Sequence, residues 1–201
     1  MNVSNKVTVS RFILSIIYFT ILYLGVDTNE IPEHIHNQFL YVSLIVFIIA
    51  ALTDIVDGYL ARYYNIMTKF GRIADPFVDK VLICGSFIFF NGWVSLKPFI
   101  GSWMVLVIIV REFLVHGLRT IAESKGVSFG STIWGKQKTL IQCTTVIWVI
   151  FYMVYLRNTE ANWWGGIILK SLIWLTLFAT VFSALIYFYK IRQLLKQVVD
   201  E

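Results

Sequence analysis

The chain has 201 residues, of which 58% are hydrophobic and only 14% are charged. This is too little polar surface for an ordinary soluble domain, and the apolar residues lie in long runs. The formal net charge of +5 favours contact with anionic lipid headgroups and phosphorylated substrates. The composition therefore excludes a soluble globular protein and predicts an integral membrane protein, with membrane lipids rather than nucleic acid as its surroundings.

Six apolar segments are each close to the ~20 residues that a helix needs to cross a bilayer. In chain order they are residues 11–26, 39–57, 76–94, 98–118, 133–156 and 166–189. Pro76 either opens the third helix or interrupts one already begun. The sequence predicts an all-α integral membrane protein, a six-transmembrane-helix bundle that forms a single domain over residues 1–201.

The basic residues indicate how these spans are oriented. Of the 17 Lys and Arg residues, all but Lys97, Arg157 and Lys170 lie at one end of the spans. Such residues stay preferentially on the cytoplasmic side of a membrane. Both termini are therefore predicted to be cytoplasmic, in the inner (cytoplasmic) membrane of a bacterium, although the role of the basic excess can be topology alone.

The opposite end carries aromatic and histidine side chains. His34 and His36 fall in the loop before the second span and are expected to be solvated, because an i, i+2 pair does not share a helix face. Tryptophans near the outer ends of the spans predict an interfacial aromatic belt; they are Trp93, Trp103, Trp163 and Trp164.

Four carboxylates lie beside two of the apolar segments. Asp54 and Asp57 are at the end of the second segment, and Asp75 and Asp79 are at the start of the third. Residues three or four apart share one face of a helix. A pocket joining the two faces would have a formal charge of about −4 and would repel itself unless two divalent cations occupied it. A site made only of carboxylate oxygens suits Mg²⁺ or Mn²⁺.

Two other interpretations of the acids stay open. Interhelical ion pairs with Arg62, Arg72 and Lys80 would account for one or two of them. Intramembrane carboxylates also mark ion pathways, although these acids sit at one membrane edge and no acidic or polar ladder continues through the other spans.

The spacing of the acids and their neighbours, D-x2-D-G-x2-A-R-x8-G-x3-D-x3-D, resembles the signature of the CDP-alcohol phosphotransferases. The resemblance implies a membrane enzyme that makes phospholipids from a CDP-linked lipid and an alcohol. All of the signature positions are filled, by Asp54, Asp57, Gly58, Ala61, Arg62, Gly71, Asp75 and Asp79.

The same resemblance implies a role for each signature residue. Metals held by Asp54, Asp57 and Asp75 would bind the diphosphate of the CDP-lipid and stabilise the departing CMP. Asp79, also near the metals, would take the proton from the incoming hydroxyl. The cytidine site would be shaped by residues that include two without bulk, which let a nucleotide approach the helix: Asp57, Gly58, Ala61, Arg62 and Gly71.

Further motifs resemble the phosphatidylglycerophosphate synthase branch of that family. They run from Asn5 to Arg11, from Arg111 to Arg119, and from Gly135 to Thr139. The resemblance implies CDP-diacylglycerol and sn-glycerol 3-phosphate as substrates and a homodimer as the assembly. An acceptor with a dianionic phosphate needs cations, and a buried Arg needs an anion. The candidates for binding that phosphate are Arg111, Arg119, Lys136, Lys138, Thr8 and Arg11.

The acceptor assignment also has alternatives. Arg111 could pair with an aspartate, and Glu112 could neutralise Arg119. The signature does not choose the alcohol, so serine, inositol phosphate or phosphatidylglycerol stay possible acceptors. His116 stands where relatives more often have a small residue such as Ser, and it lies one turn from Glu112 and from Arg119 on the same helix face.

Overall fold

The computed structural model describes the backbone of residues 3–25, 32–63, 69–124 and 133–199, and the side chains of residues 9–25, 32, 34–53, 80–120, 122, 135 and 137–192. Within these backbone ranges the chain forms helices and contains no strand. Six long helices follow one another: α1 (Val3–Leu24), α2 (Glu33–Tyr63), α3 (Lys69–Gly92), α4 (Ser102–Ser124), α5 (Ile133–Phe151) and α6 (Asn162–Val199).

Each predicted apolar segment corresponds to one of these helices, so the all-α class is confirmed. A 3-10 turn, Val94–Leu96, lies between α3 and α4, and a π-helical turn, Tyr152–Leu156, extends α5. Among the residues that the structure describes, three segments are long and apolar enough to cross a membrane, and two shorter apolar helices accompany them. The three are His34–Thr53, Gln137–Leu156 and Asn162–Arg192, and the shorter two are Val9–Leu24 and Lys80–Gly92.

The surface of the bundle is apolar, and its mainly hydrophobic interior also contains polar groups. Large hydrophobic side chains such as Leu106 and Phe178 are exposed, at 61% and 67%. Buried hydroxyls and an amide include Ser43, Gln142 and Thr176. Water would penalise such an exterior, whereas lipid favours it. The arrangement is therefore that of a membrane protein.

The first three helices meet in an aromatic core. The rings of Tyr18 and Phe47 lie 5.4 Å apart between centroids, and both side chains are fully buried. The Tyr18 hydroxyl lies 2.9 Å from Ser86 Oγ, which itself donates to the Leu82 carbonyl at 2.7 Å. Because the single Ser86 proton is used for that carbonyl, Tyr18 is the donor to Ser86. This bond ties α1 to α3 inside the bundle.

Helices α5 and α6 join along a line of hydroxyl groups. Thr145 Oγ1 lies 2.8 Å from Thr176 Oγ1 and also donates to the Ile141 carbonyl at 2.8 Å. Hydrogen bonds between Ser and Thr side chains are a common way of joining helices in lipid, where apolar contact alone provides little drive for association. This seam places α6 beside α5 and, farther along, beside α4.

The structure decides one open question about the ends of the helices and corrects two expectations. Helix α3 begins at Lys69, so Pro76 lies inside a helix already begun and does not open it. Trp93 is 2% exposed and packs edge-on against Phe90 at 5.4 Å, because the turn after α3 folds it back into the core rather than into an interfacial belt. Both histidines lie in α2 rather than in a loop, and because residues two apart do not share a helix face, His36 is buried whereas His34 is exposed.

Candidate active site

The signature acids lie at the end of α2 and at the start of α3, on backbone that is helical throughout. Asp54 and Asp57 are three residues apart, and Asp75 and Asp79 are four apart, so each pair shares a face of its helix. Their side chains lie outside the described residues, as do the surroundings of the other signature positions, Gly58, Ala61, Arg62 and Gly71. Among the side chains that are described, no cluster of three potential metal ligands occurs. An oxygen-only donor set on two helices fits a hard divalent cation.

Arg111 lies in α4, inside the bundle, with 8% of its surface exposed. Its Nη1 donates to Glu112 Oε1 at 3.2 Å, and its Nη2 donates to Ser183 Oγ of α6 at 2.8 Å. Ser183 in turn donates to the Thr180 carbonyl at 3.0 Å. The guanidinium is therefore fixed from two sides, by its own helix and by α6.

Lys138 of α5 reaches the same carboxylate. Its Nζ donates to Glu112 Oε1, and both side chains are buried, with 5% and 6% of their surface exposed. A single oxygen atom of Glu112 thus accepts from Arg111 and from Lys138. Two of the predicted phosphate-binding cations are brought together around one acid.

A third cation approaches this cluster from α3. Lys80 is half-buried and interacts electrostatically with Glu112, Arg111 and Lys138. It follows Asp79 directly in the sequence. Arg111, Glu112 and Lys138 together form the cationic cluster. The helix that carries two signature acids therefore also places a positive charge, that of Lys80, near this cluster.

The other predicted acceptor residues are placed less fully. Arg11 is buried in α1, and its carbonyl accepts a hydrogen bond from Ser15 Oγ at 2.9 Å. Arg119 is half-buried in the last part of α4. The side chains of Thr8 and Lys136 lie outside the described residues, although both positions are helical.

A protein-family model for CDP-alcohol phosphatidyltransferases matches residues 1–189 of the chain. The chain belongs to the CDP-alcohol phosphatidyltransferase family. The resemblance suggested by the signature is thereby confirmed, and the family match covers α1 to α5 and most of α6.

Several curated relatives carry the name CDP-diacylglycerol–glycerol-3-phosphate 3-phosphatidyltransferase. The protein of that name from Bacillus subtilis is 35% identical over 198 residues, which cover 97% of each chain. That from Rickettsia typhi is 26% identical over 188 residues, covering 93% of this chain and 95% of the relative. That from Mycoplasma pneumoniae is 26% identical over 211 residues, covering 96% and 88%.

For this member of the phosphatidyltransferase family, the sequence did not predict the role of two residues, one in the cationic cluster and one that contacts it. Glu112 was considered only as a partner for Arg119, yet it contacts Arg111 and Lys138. Ser183 stands in an apolar helix with no charged neighbour nearby in sequence. A polar residue on the inner face of a membrane helix is the one signal that could have pointed to it.

Proposed function

We propose that the chain transfers the phosphatidyl group of CDP-diacylglycerol to sn-glycerol 3-phosphate, forming phosphatidylglycerophosphate and CMP. The observation that carries this choice of acceptor is the buried cationic cluster, in which Arg111 and Lys138 share a single carboxylate. An excess of buried positive charge suits an acceptor with a phosphate group, whereas a neutral or zwitterionic alcohol would not require it. The names of relatives that align over nearly the whole chain support the same acceptor.

In this proposal the signature acids form the CDP-lipid site. Two divalent cations, Mg²⁺ or Mn²⁺, would be held by Asp54, Asp57, Asp75 and Asp79, where they would neutralise the diphosphate and make phosphorus more open to attack. Asp79 would also take the proton from the acceptor hydroxyl. The hydroxyl oxygen then forms a bond to the phosphorus of the phosphatidyl group, and the bond to CMP breaks with its electron pair leaving on CMP. Cytidine would be bound by Asp57, Gly58, Ala61, Arg62 and Gly71.

The acceptor's phosphate would bind at the cationic cluster. Arg111 offers a planar fork for bidentate contact, and Lys138 offers a compact charge beside it. Additional contacts would come from the other phosphate-binding candidates in the motifs that resemble the phosphatidylglycerophosphate synthase branch: Arg119, Lys136, Thr8 and Arg11.

The proposal includes a topology. We propose six spans with both termini and the active site on the cytoplasmic side of the inner membrane, one domain over the chain, and a homodimer. Support comes from six long helices, from three segments that meet the length and hydropathy needed for crossing, and from the concentration of Lys and Arg at one end.

The experiment that tests the function is an acceptor panel. The purified protein is incubated with CDP-diacylglycerol and Mg²⁺ or Mn²⁺, and with labelled glycerol 3-phosphate, serine, inositol phosphate or phosphatidylglycerol in separate reactions. Release of CMP and labelled lipid from glycerol 3-phosphate alone is expected. Labelled product from another acceptor, with none from glycerol 3-phosphate, would contradict the proposal.

A further inference from the structure

Glu112 has no part in the chemistry proposed above, yet it is the central group of the cationic cluster. It is the one buried carboxylate among the described side chains, and the same Oε1 atom accepts from a guanidinium on α4 and an ammonium on α5. Two cations that would otherwise repel one another are thus drawn to one point. Burying such a group is costly unless the arrangement has a use.

The charge of the cluster is not balanced by Glu112. Arg111 and Lys138 contribute two positive charges and Glu112 one negative charge, which leaves a net charge of +1 among groups in direct contact. Lys80 lies within electrostatic reach and adds a further positive charge. A phosphate monoester carries about −1.5 to −2 at neutral pH. The cluster is therefore complementary in charge to such a dianion.

The cations also keep hydrogen-bond donors beyond those that Glu112 uses. A guanidinium has five N–H groups and an ammonium has three. Arg111 uses Nη1 and Nη2 for Glu112 and Ser183, while its Nε is buried without a hydrogen-bond partner among the described residues. Glu112 therefore orients Arg111 and Lys138 without exhausting their capacity to bind an anion.

We infer that Glu112 is a positioning residue for the acceptor's phosphate: its carboxylate holds Arg111 and Lys138 together so that both can contact one phosphate group. The inference rests on the proposed function of these two cations. Ser183 assists by holding the other edge of the guanidinium. Glu112 sets the distance between the two cations and keeps the excess charge low enough to be tolerated in the empty site.

A carboxylate between two cations could instead compete with phosphate for them, or serve only to tie α4 to α5. The three roles predict different effects of removing the carboxylate. Removing a positioning acid weakens phosphate binding, and removing a competing acid strengthens it. Removing a helix tie lowers the melting temperature and affects both substrates alike.

The test uses Glu112→Gln, which keeps the shape and removes the charge, and Glu112→Asp, which keeps the charge on a shorter side chain. Thr145→Val is the matched control, because it breaks a buried contact between helices, the 2.8 Å pair with Thr176, outside the cluster. Each protein is measured for the apparent KM of both substrates, for kcat, for its melting temperature, and for stabilisation by inorganic phosphate without CDP-diacylglycerol.

For Glu112→Gln, a rise of about 10-fold or more in the apparent KM for glycerol 3-phosphate is expected, by analogy with the loss of a hydrogen bond to a charged group. The KM for CDP-diacylglycerol should stay within about twofold, and the Glu112→Asp variant should recover part of the loss. Thr145→Val should lower the melting temperature without changing the acceptor KM. Stabilisation by inorganic phosphate should weaken in Glu112→Gln and persist in the control.

An unchanged acceptor KM, tighter phosphate binding, or an equal rise in both KM values in a folded Glu112→Gln protein would overturn the inference. Should that variant fail to fold, Glu112→Asp decides by the same readouts. Failure of the proposed function looks different, because the unmodified protein would then transfer to another acceptor. In that case, weaker binding of inorganic phosphate by the Glu112 variants would still support the positioning role.

Discussion

Replacement of Arg111 by Ala tests the acceptor site most directly. The side chain is 8% exposed and makes contacts of 3.2 Å and 2.8 Å with Glu112 and Ser183. The variant leaves Glu112 paired with Lys138, so one negative charge still meets one positive charge in the interior. Since no uncompensated acid is created at this contact, we expect the protein to fold.

The expected loss follows from the chemistry of the contact. A hydrogen bond between a charged donor and a charged acceptor contributes roughly 1.5–3 kcal/mol, which corresponds to about 10- to 150-fold in the use of the acceptor. The KM for CDP-diacylglycerol should change little, because its diphosphate is assigned to the acids of α2 and α3. Arg111→Lys should recover only part of the loss, since a point charge replaces a planar fork.

The assay is steady-state kinetics in which each substrate is varied while the other is saturating. Lys170→Ala is a suitable control, because Lys170 is an exposed cation in the first part of α6, several turns before Ser183. It should leave both KM values unchanged. A well-folded Arg111→Ala protein with normal dependence on glycerol 3-phosphate would remove Arg111 from the site. A purely structural role would show itself as reduced yield together with impaired use of both substrates.

Three further predictions concern the acid site and the core. Changing Asp54, Asp57 or Asp75, the proposed metal ligands that have no second role as a base, to Asn should abolish most metal-dependent turnover without unfolding the protein. Near-normal turnover with Mg²⁺ or Mn²⁺ would refute that residue's role. Asp79→Asn should lower turnover by orders of magnitude, while CDP-lipid binding falls much less than in Asp54→Asn. Equal losses of CDP-lipid binding in the two variants would show that Asp79 acts mainly as a metal ligand and not as the base. Tyr18→Phe should lower the free energy of unfolding by about 0.5–1.5 kcal/mol through loss of the hydrogen bond to Ser86. Denaturation in detergent measures this change, and an unchanged stability would contradict the prediction.

Hydropathy alone located the helices well. The fifth predicted segment, residues 133–156, coincides with α5 and the π-helical turn that follows it. The reason is physical: a helix in lipid must be apolar over the thickness of the bilayer and must satisfy its backbone hydrogen bonds internally. Both requirements are visible in a single sequence without knowledge of the packing.

The boundaries next to polar motifs were harder to predict. Pro76 was compatible with a helix start or with a helix already begun, and only the structure decides for the second, since α3 begins at Lys69. Prolines are tolerated within membrane helices because neighbouring groups can satisfy the backbone that they disrupt. Trp93 resembled a belt residue by position along the chain, and only the turn after α3 directs its ring into the core.

The candidate site also has one part that the sequence predicts and one part that it does not. The signature acids could be recognised from spacing on two helices, since residues three or four apart share a face regardless of tertiary structure. The pairing of Glu112 with Lys138 could not, because these residues are 26 positions apart and meet only when α4 and α5 pack. Ser183 is farther still, 72 positions from Arg111. Contacts of this kind depend on how helices are arranged, which hydropathy does not encode.

The position of Lys80 relates the two halves of the proposed reaction. It follows Asp79 on continuous helix, so the two residues lie at nearly the same depth, about 1.5 Å apart along the axis and about 100° apart around it. One face of α3 thus carries the acids assigned to the CDP-lipid. The neighbouring face carries Lys80, which interacts electrostatically with Arg111, Glu112 and Lys138. Two anionic substrates can approach one another only if each is neutralised separately. In the proposed reaction, a shared helix with acids for bound metals on one face and a cation on the next would provide that separation, and it would keep the acceptor's hydroxyl near the phosphorus that it must attack.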